Sequence, residues 1–211
     1  MQRIALIDYG SGNLRSAEKA LVRVAGGRAE IVVTNHPETV AGADAVVLPG
    51  VGAFAACMAA LSARSGVIEA MNRAVAGRGV PFLGICVGMQ LMASRGLEFG
   101  VTPGLGWIDG DVRKIEVSDR ALKIPHMGWN TLTGVGDLPM LAGARAGEPV
   151  YFTHSFAMFP TDDADIAAWT DHGGRFPAAV ARGNMAGVQF HPEKSQATGL
   201  KLLSDFLEWR P

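Results

Sequence analysis

Cys86, and far down the chain His191-Pro192-Glu193, are the residues whose types and spacing could do covalent chemistry. Cys86 lies in Gly84-Ile85-Cys86-Val87-Gly88. It follows an apolar run over 80–85 and precedes Met89-Gln90-Leu91-Met92-Ala93, a run of good helix formers. A strand that turns sharply into a helix exposes the side chain at the turn, and small neighbours on both sides let the backbone make it. Such a position is strained. The first amides of the following helix then point at the substrate and can lower the thiol pKa. The same motif is compatible with a buried structural cysteine beside two turn glycines. His191 weighs against that reading, because it closes another apolar run, 185–190, and would also sit at a strand end. A histidine beside a thiol takes its proton and holds the thiolate ready. Glu193, joined to it through the stiff Pro192, is placed to orient and stabilise the imidazolium. His-x-Glu alone is common on surfaces. Zinc deaminases also use it, but with a Pro-Cys-x-x-Cys that this sequence lacks, so no metal is expected.

The elements that must position these residues follow from hydrophobic pattern. Residues 3–9 read as a first buried strand. Gly10-Ser11-Gly12-Asn13 reads as a turn able to cap a helix. Leu14, Ala17, Leu21 and Val24 recur at helical spacing and stop at Gly26-Gly27. Strands are expected at 30–34 and 44–48, the latter closed by Pro49-Gly50-Val51-Gly52. A helical region follows over about 54–76, broken near Ser65-Gly66, before the strand at 80–85. Cys57 falls on its apolar stripe with Phe54, Met58 and Leu61 and reads as packing. This alternation implies right-handed crossovers and an α/β fold, a mostly parallel central sheet with helices on both faces. Ligands in such sheets sit at the carboxyl ends of strands, where 49–52 and Cys86 both fall. The second half differs. Glycine-rich 96–111 leads to short strands at 112–117, 150–159, 166–170 and 178–181, which read as antiparallel strands appended to the sheet. Residues 185–190 form another strand, and 198–209 a closing helix with Leu200, Leu203 and Leu207 on one face. No linker, repeat or low-complexity stretch interrupts 1–211, which reads as a single domain.

Composition sets the outer limits. Of 211 residues, 48% are hydrophobic and 18% charged, enough to bury a sizeable core. A net charge of -1 leaves no basic footprint for nucleic acid. No apolar run reaches transmembrane length, and the first residues meet a charge too soon for a secretory signal. Two cysteines without metal-type spacing fit free thiols in a reducing cytoplasm.

With these residues in view, the sequence resembles the class I (triad-type) glutamine amidotransferases, and among them the glutaminase subunits of imidazole glycerol phosphate synthase. The matching blocks are Asp8-Tyr9-Gly10-Ser11-Gly12-Asn13-Leu14, Leu48-Pro49-Gly50-Val51-Gly52-Ala53-Phe54, Gly84 to Gln90, Pro125-His126-Met127-Gly128-Trp129-Asn130, Tyr151-Phe152-Thr153-His154-Ser155-Phe156 and Gly187 to Ser195. The resemblance implies that Cys86 attacks the side-chain amide of glutamine, leaving a glutamyl thioester that water hydrolyses. His191 is then acid and base, and Glu193 its orienting group. It implies an oxyanion hole from the amide of Val87 and one from Gly50-Val51. It further implies a glutamine pocket of Gly52, Gln90, Glu98, His154, Ser155 and Phe156. An ammonium would seek Glu98 and a carboxylate would seek backbone amides. Phe156 stands where the family often has Tyr, which matters only if a hydroxyl makes the contact. No cofactor is implied.

Ammonia released here needs an acceptor, and the chain has no phosphate-cradling motif of its own. The resemblance names a partner, the cyclase subunit of imidazole glycerol phosphate synthase. Asn13, Trp129, Tyr151 and Lys194 flank the functional blocks and are the candidate interface, Trp and Tyr being favoured anchors; Trp129 is equally a candidate core aromatic. Three other readings stand beside this one: the glutaminase of another biosynthetic synthase, an α/β-hydrolase-type cysteine hydrolase, and a catalytically silent binding subunit. In the hydrolases the acid precedes the histidine, whereas Glu193 follows it. The glycines of 49–52 also permit a peptide unit to present either its carbonyl or its amide to the site. Only the amide completes an oxyanion hole, so a partner could switch the enzyme on by turning it; the alternative is a rigid turn.

Overall fold

The computed structural model describes residues 1–119, 121–144 and 147–211. The first half of the chain runs β1 (Gln2–Ile7), α1 (Leu14–Ala25), β2 (Ala29–Thr34), α2 (Pro37–Ala41), β3 (Ala45–Leu48), α3 (Phe54–Ser62), α4 (Val67–Asn72), β4 (Phe82–Ile85) and α5 (Val87–Gln90). The second half runs β5 (Ala93–Gly96), β6 (Thr102–Pro103), β7 (Ile108–Lys114), β8 (His126–Asn130), β9 (Val150–His154), β10 (Phe156–Pro160), β11 (Ile166–Asp171), β12 (Arg175–Arg182), β13 (Met185–Val188) and α6 (Gln196–Glu208).

Seven strands form the main sheet in the order β11-β12-β13-β4-β3-β1-β2. The five from β13 to β2 are parallel, and β12 and β11 add antiparallel to one edge. Every residue of β3 and β4 is buried. Their continuous apolar runs suit strands covered on both faces. Because β1 to β2 runs one way along the sheet and β2 to β3 to β4 the other, right-handed crossovers put α1 and α2–α4 on opposite faces. α6 packs against α1 through buried Leu202, Leu203, Phe206 and Leu207; Leu200, expected on that stripe, is only partly covered. α1 ends where Gly26 takes φ 52 and its N–H reaches the Val22 carbonyl. Gly66, at φ 75, breaks the second helical region where the sequence indicated, and the flanking helices meet at 92°. One apolar cluster runs from Ile4 to Trp209. No single helix among the described residues is long and apolar enough to cross a membrane.

Three local expectations are corrected. The helix after Cys86 lasts one turn. The carbonyls of Leu91, Met92, Ala93 and Ser94, which would continue it, accept instead from the amides of residues 104–108. The run 150–159 is two strands, not one, and neither it nor the strand after 108 is appended to the main sheet: β9 pairs with β8 in a two-stranded sheet, β10 pairs with β7 in a four-stranded sheet, and Ser155 is the switch between these two. The strand expected at 112–117 lies at Ile108–Lys114 and reaches back into the glycine-rich stretch. Gly110 there takes φ 152, and a Cβ on it would sit 2.4 Å from the Phe159 carbonyl oxygen, so glycine belongs to the strand rather than to a loop.

Candidate active site

The turn that carries Cys86 is built by close backbone approach. Cys86 links β4 to α5 at φ 54 and ψ -110, a conformation costly for a side chain. Its amide is held by the Val188 carbonyl at 2.8 Å. A Cβ on Gly84 would lie 2.6 Å from the Gly88 carbonyl oxygen, and one on Gly88 would lie 1.8 Å from that of Leu48. These contacts show why the thiol is flanked by glycine on both sides.

His191 follows β13 and reaches the same edge. Its Nδ1 donates to Glu193 Oε1 at 2.8 Å, and both side chains are 0% exposed. A carboxylate only accepts, so Nδ1 carries the proton and Nε2 is the open base. Nε2 is buried with no conventional hydrogen bond and within reach of the Cys86 sulfur. The His191 backbone is fixed by the Tyr151 carbonyl at 2.9 Å and the Ser195 hydroxyl at 2.6 Å. Burial lowers the imidazole pKa, but the Cys86 sulfur and the Glu193 carboxylate outweigh it and raise it to about 9. The ring is thus tuned to hold a proton taken from the thiol. Asn13, expected at the interface and able to cap α1, makes no side-chain cap; it is 4% exposed and donates Nδ2 to Glu193 Oε1 at 3.1 Å. It stands behind the His191–Glu193 pair rather than on the surface.

Beside the thiol is a cavity of about 260 Å³. Gly52, Gln90, Glu98, His154, Ser155 and Phe156 all line it, with Val51, Val87 and Thr153. Phe156 contributes its carbonyl, which accepts from Gln90 Nε2 at 2.8 Å and from His154 Nδ1 at 3.0 Å. Glu98 is tethered by the Phe54 amide at 2.8 Å. A larger cavity, about 480 Å³, lies apart beside Arg113, Lys114 and Arg175 and is lined by neither Cys86 nor His191.

The loop 49–52 is held in one orientation. The Gly50 carbonyl accepts from the Val87 amide at 3.3 Å, so the carbonyl side of the Gly50–Val51 peptide occupies one of the two amides assigned to an oxyanion hole. The flanking peptides are pinned as well. Tyr9 donates its buried hydroxyl to the Pro49 carbonyl at 2.7 Å, and Cys57 donates its thiol to the Val51 carbonyl at 3.4 Å. Cys57 is therefore more than packing. Burial raises both of these donors' pKa values, which keeps their protons in place. Gly50 has no room for a side chain, since a Cβ would be 2.6 Å from the Gly88 nitrogen.

Some contributors had no separate signal in the sequence. Gln189, 0% exposed, accepts from Gln90 Nε2 at 3.0 Å and donates to the Cys86 sulfur at 3.6 Å. Gln189, Tyr9 and His126 all lie inside the matching blocks, yet their partners are tens of residues away. At the surface Trp129 is 48% exposed, which excludes a core role. Its ring meets Tyr151 edge-on at 5.8 Å, and Lys194 Nζ sits over Tyr151 at 5.7 Å.

The family profile described as "Glutamine amidotransferase class-I" matches residues 5–209. The chain is 63% identical to "Imidazole glycerol phosphate synthase subunit HisH" of Caulobacter vibrioides, with 100% of both chains covered. It is 56% identical to the protein of the same name from Rhodospirillum rubrum, covering 99% of this chain and 100% of the other. Among solved structures, one described as "Crystal structure of glutamine amidotransferase" superposes with a TM-score of 0.68 at 20% identity, covering 97% of each chain, which speaks for the fold alone. The chain belongs to the class-I glutamine amidotransferases and, within them, to the family of imidazole glycerol phosphate synthase HisH subunits.

Proposed function

We propose that this chain is a glutaminase that hydrolyses glutamine at Cys86 and passes the ammonia to a separate cyclase subunit. The thiolate attacks the side-chain amide carbon. Ammonia leaves with the proton that His191 Nε2 took from the thiol, and a glutamyl thioester remains on Cys86. Water then gives a proton to His191, attacks the thioester and releases glutamate and the thiol. Glu193, itself held by Asn13, keeps the imidazole in the one tautomer that leaves Nε2 free. The observation that carries this reading is the buried His191–Glu193 pair at 2.8 Å beside a thiol strained to φ 54. The cavity beside Cys86 receives glutamine, its ammonium at Glu98 and its carboxylate at backbone amides of the residues that line it.

The negative oxygen of the tetrahedral intermediate would be held by the Val87 amide and by the Val51 amide once the Gly50–Val51 peptide has turned. Such a donor acts where charge develops. By likeness to the relatives, the acceptor is the cyclase subunit of imidazole glycerol phosphate synthase, which makes imidazole glycerol phosphate and AICAR in histidine biosynthesis. Trp129, Tyr151 and Lys194 form the surface offered to it. Both cysteines are free, as a reducing cytoplasmic setting would keep them. The test is glutamate release by the purified chain mixed with the cyclase subunit and its acceptor substrate, followed by formation of imidazole glycerol phosphate. Glutamate release without that product would point to another synthase, and no glutamate release would remove the glutaminase reading.

A further inference from the structure

Behind the glutamine pocket lies a buried pair of histidines. His126 on β8 and His154 at the end of β9 are 3% and 7% exposed, and His126 Nδ1 is 3.1 Å from His154 Nε2. Their other ring nitrogens have partners whose chemistry is fixed. At the pocket end, His154 Nδ1 faces the Phe156 carbonyl at 3.0 Å. A carbonyl only accepts, so Nδ1 carries the proton and Nε2 of the neutral ring needs a donor, which is His126 Nδ1–H. At the other end, Asn130 donates Nδ2 to the Asp171 carbonyl at 2.7 Å while its Oδ1 accepts from the Thr131 amide at 2.8 Å. The group it turns to His126 Nε2, at 3.2 Å, is therefore N–H. His126 Nε2 must accept, and Nδ1 must carry the proton. Two ends of the chain of bonds, read independently, require the same pair of tautomers.

A second proton on either ring would set N–H against N–H. Burial works the same way and is the largest cause; it takes His126 down to about 4 and, against the opposing pull of the Phe156 carbonyl, His154 to about 3, with the neighbouring imidazoles adding to it. The titratable side chains packed against the pair are His172, stacked on His126 at 4.2 Å, and His191; when charged, each repels a further proton. The Phe156 carbonyl joins this arrangement to the reaction centre. It also accepts from Gln90, whose second N–H goes to Gln189, which in turn donates to the Cys86 sulfur. With both hydrogens engaged, Gln90 keeps its oxygen for a donor.

We propose that His126 and Asn130 are positioning residues for glutamine: they hold His154 neutral, with Nδ1–H on the Phe156 carbonyl, and so keep positive charge out of the pocket that receives the substrate ammonium. The claim that this affects glutamine rests on the reading of the 260 Å³ cavity as the substrate site; the tautomers do not. The test therefore has two arms. In 15N spectra of the full-length chain, both His126 and His154 should show a protonated Nδ1 and a bare Nε2, unchanged from pH 8 to pH 5.5. An Nε2–H tautomer on either, or titration near the ordinary histidine value, overturns the proposal whatever the substrate is. In kinetics with the cyclase subunit present, His126→Phe removes the donor and should raise the glutamine KM about tenfold, with kcat changed less than about threefold. His126→Gln can donate to His154 and accept from Asn130, and should hold KM within about threefold of the native value. Equal KM in the two variants overturns it. Should His126→Phe fail to fold, Asn130→Asp at the half-buried end exchanges the donor for a carboxylate, and His126 should then titrate above pH 6; an unchanged neutral His126 overturns the proposal.

Discussion

The triad and the loop 49–52 sit at the same sheet edge, but the structure leaves them in different conditions. Cys86, His191 and Glu193 are assembled and enclosed, each fixed by backbone or buried polar contacts. The loop beside them holds a carbonyl on the amide that an oxyanion would need. The difference lies in what fixes each region. The triad depends on strand ends and on a carboxylate two residues from its histidine, all internal to the chain. The loop depends on one peptide between two glycines, Gly50 and Gly52, the second at φ 110. Its neighbours on either side are pinned by Tyr9 and Cys57. On the proposed reading, the chain builds its own nucleophile and base, and stabilisation of the transition-state charge waits on the turning of one peptide.

The largest effect should come from the triad. Cys86→Ala should abolish glutamine hydrolysis, a loss on the order of 10⁴-fold or more, while the complex still uses ammonia supplied directly. Glutamate release at the native rate would break the assignment. His191→Asn should lower kcat by about 10³–10⁴-fold, because it removes thiol activation and leaving-group protonation together. Glu193→Gln should cost less, roughly 10–10²-fold, since an amide oxygen can still accept from Nδ1. Native activity in both of these variants would remove the triad and with it one side of the comparison.

Stability against pH separates the two kinds of histidine. His191 is raised to about 9, so between about 6.5 and 9 the folded chain keeps a proton that the unfolded chain has lost. Its contribution is complete below about 6.5 and fades as pH rises through 9. His126 and His154 are depressed, so their neutral rings stabilise the fold above about 6.5 and lose that effect as pH falls towards 4 and 3. Urea unfolding at pH 5, 6.5 and 8.5 should show stability falling on both sides. His191→Asn should flatten the alkaline limb and leave the acid limb in place; an unchanged alkaline limb would show that the imidazole is not held protonated. The smallest effect is Tyr9→Phe, which strands the Pro49 carbonyl and should cost about 1–3 kcal/mol, a few degrees in Tm at this chain length. A variant as stable as the native chain would mean that the loop is not pinned on that side.

What could be read from the sequence follows the same division. The strained cysteine turn, the His-x-Glu at a strand end and the five parallel strands are written in short windows, as apolar runs bounded by glycine and proline. The break at Gly66 was visible for the same reason. The second half was harder, because its strands are short and their limits are set by pairing. Nothing local in 150–159 says that Ser155 moves the chain to another sheet, and nothing in Met89-Gln90-Leu91-Met92-Ala93 says that the segment around 104–108 will take its carbonyls. At the site, Gln189 and Tyr9 were invisible as contributors because their roles are hydrogen bonds to residues 103 and 40 positions away. Asn13 looked like a helix cap until Glu193, 180 positions on, was brought to it.

The most direct test of the contrast between a finished triad and a closed oxyanion loop is glutaminase kcat measured on three samples: the free chain, its binary complex with the cyclase subunit, and that complex with acceptor ligand bound. The account predicts a low rate in the first and a rise of about 10²-fold or more in the last, the scale set by gaining one oxyanion donor. A free chain already working at the maximal rate would contradict it.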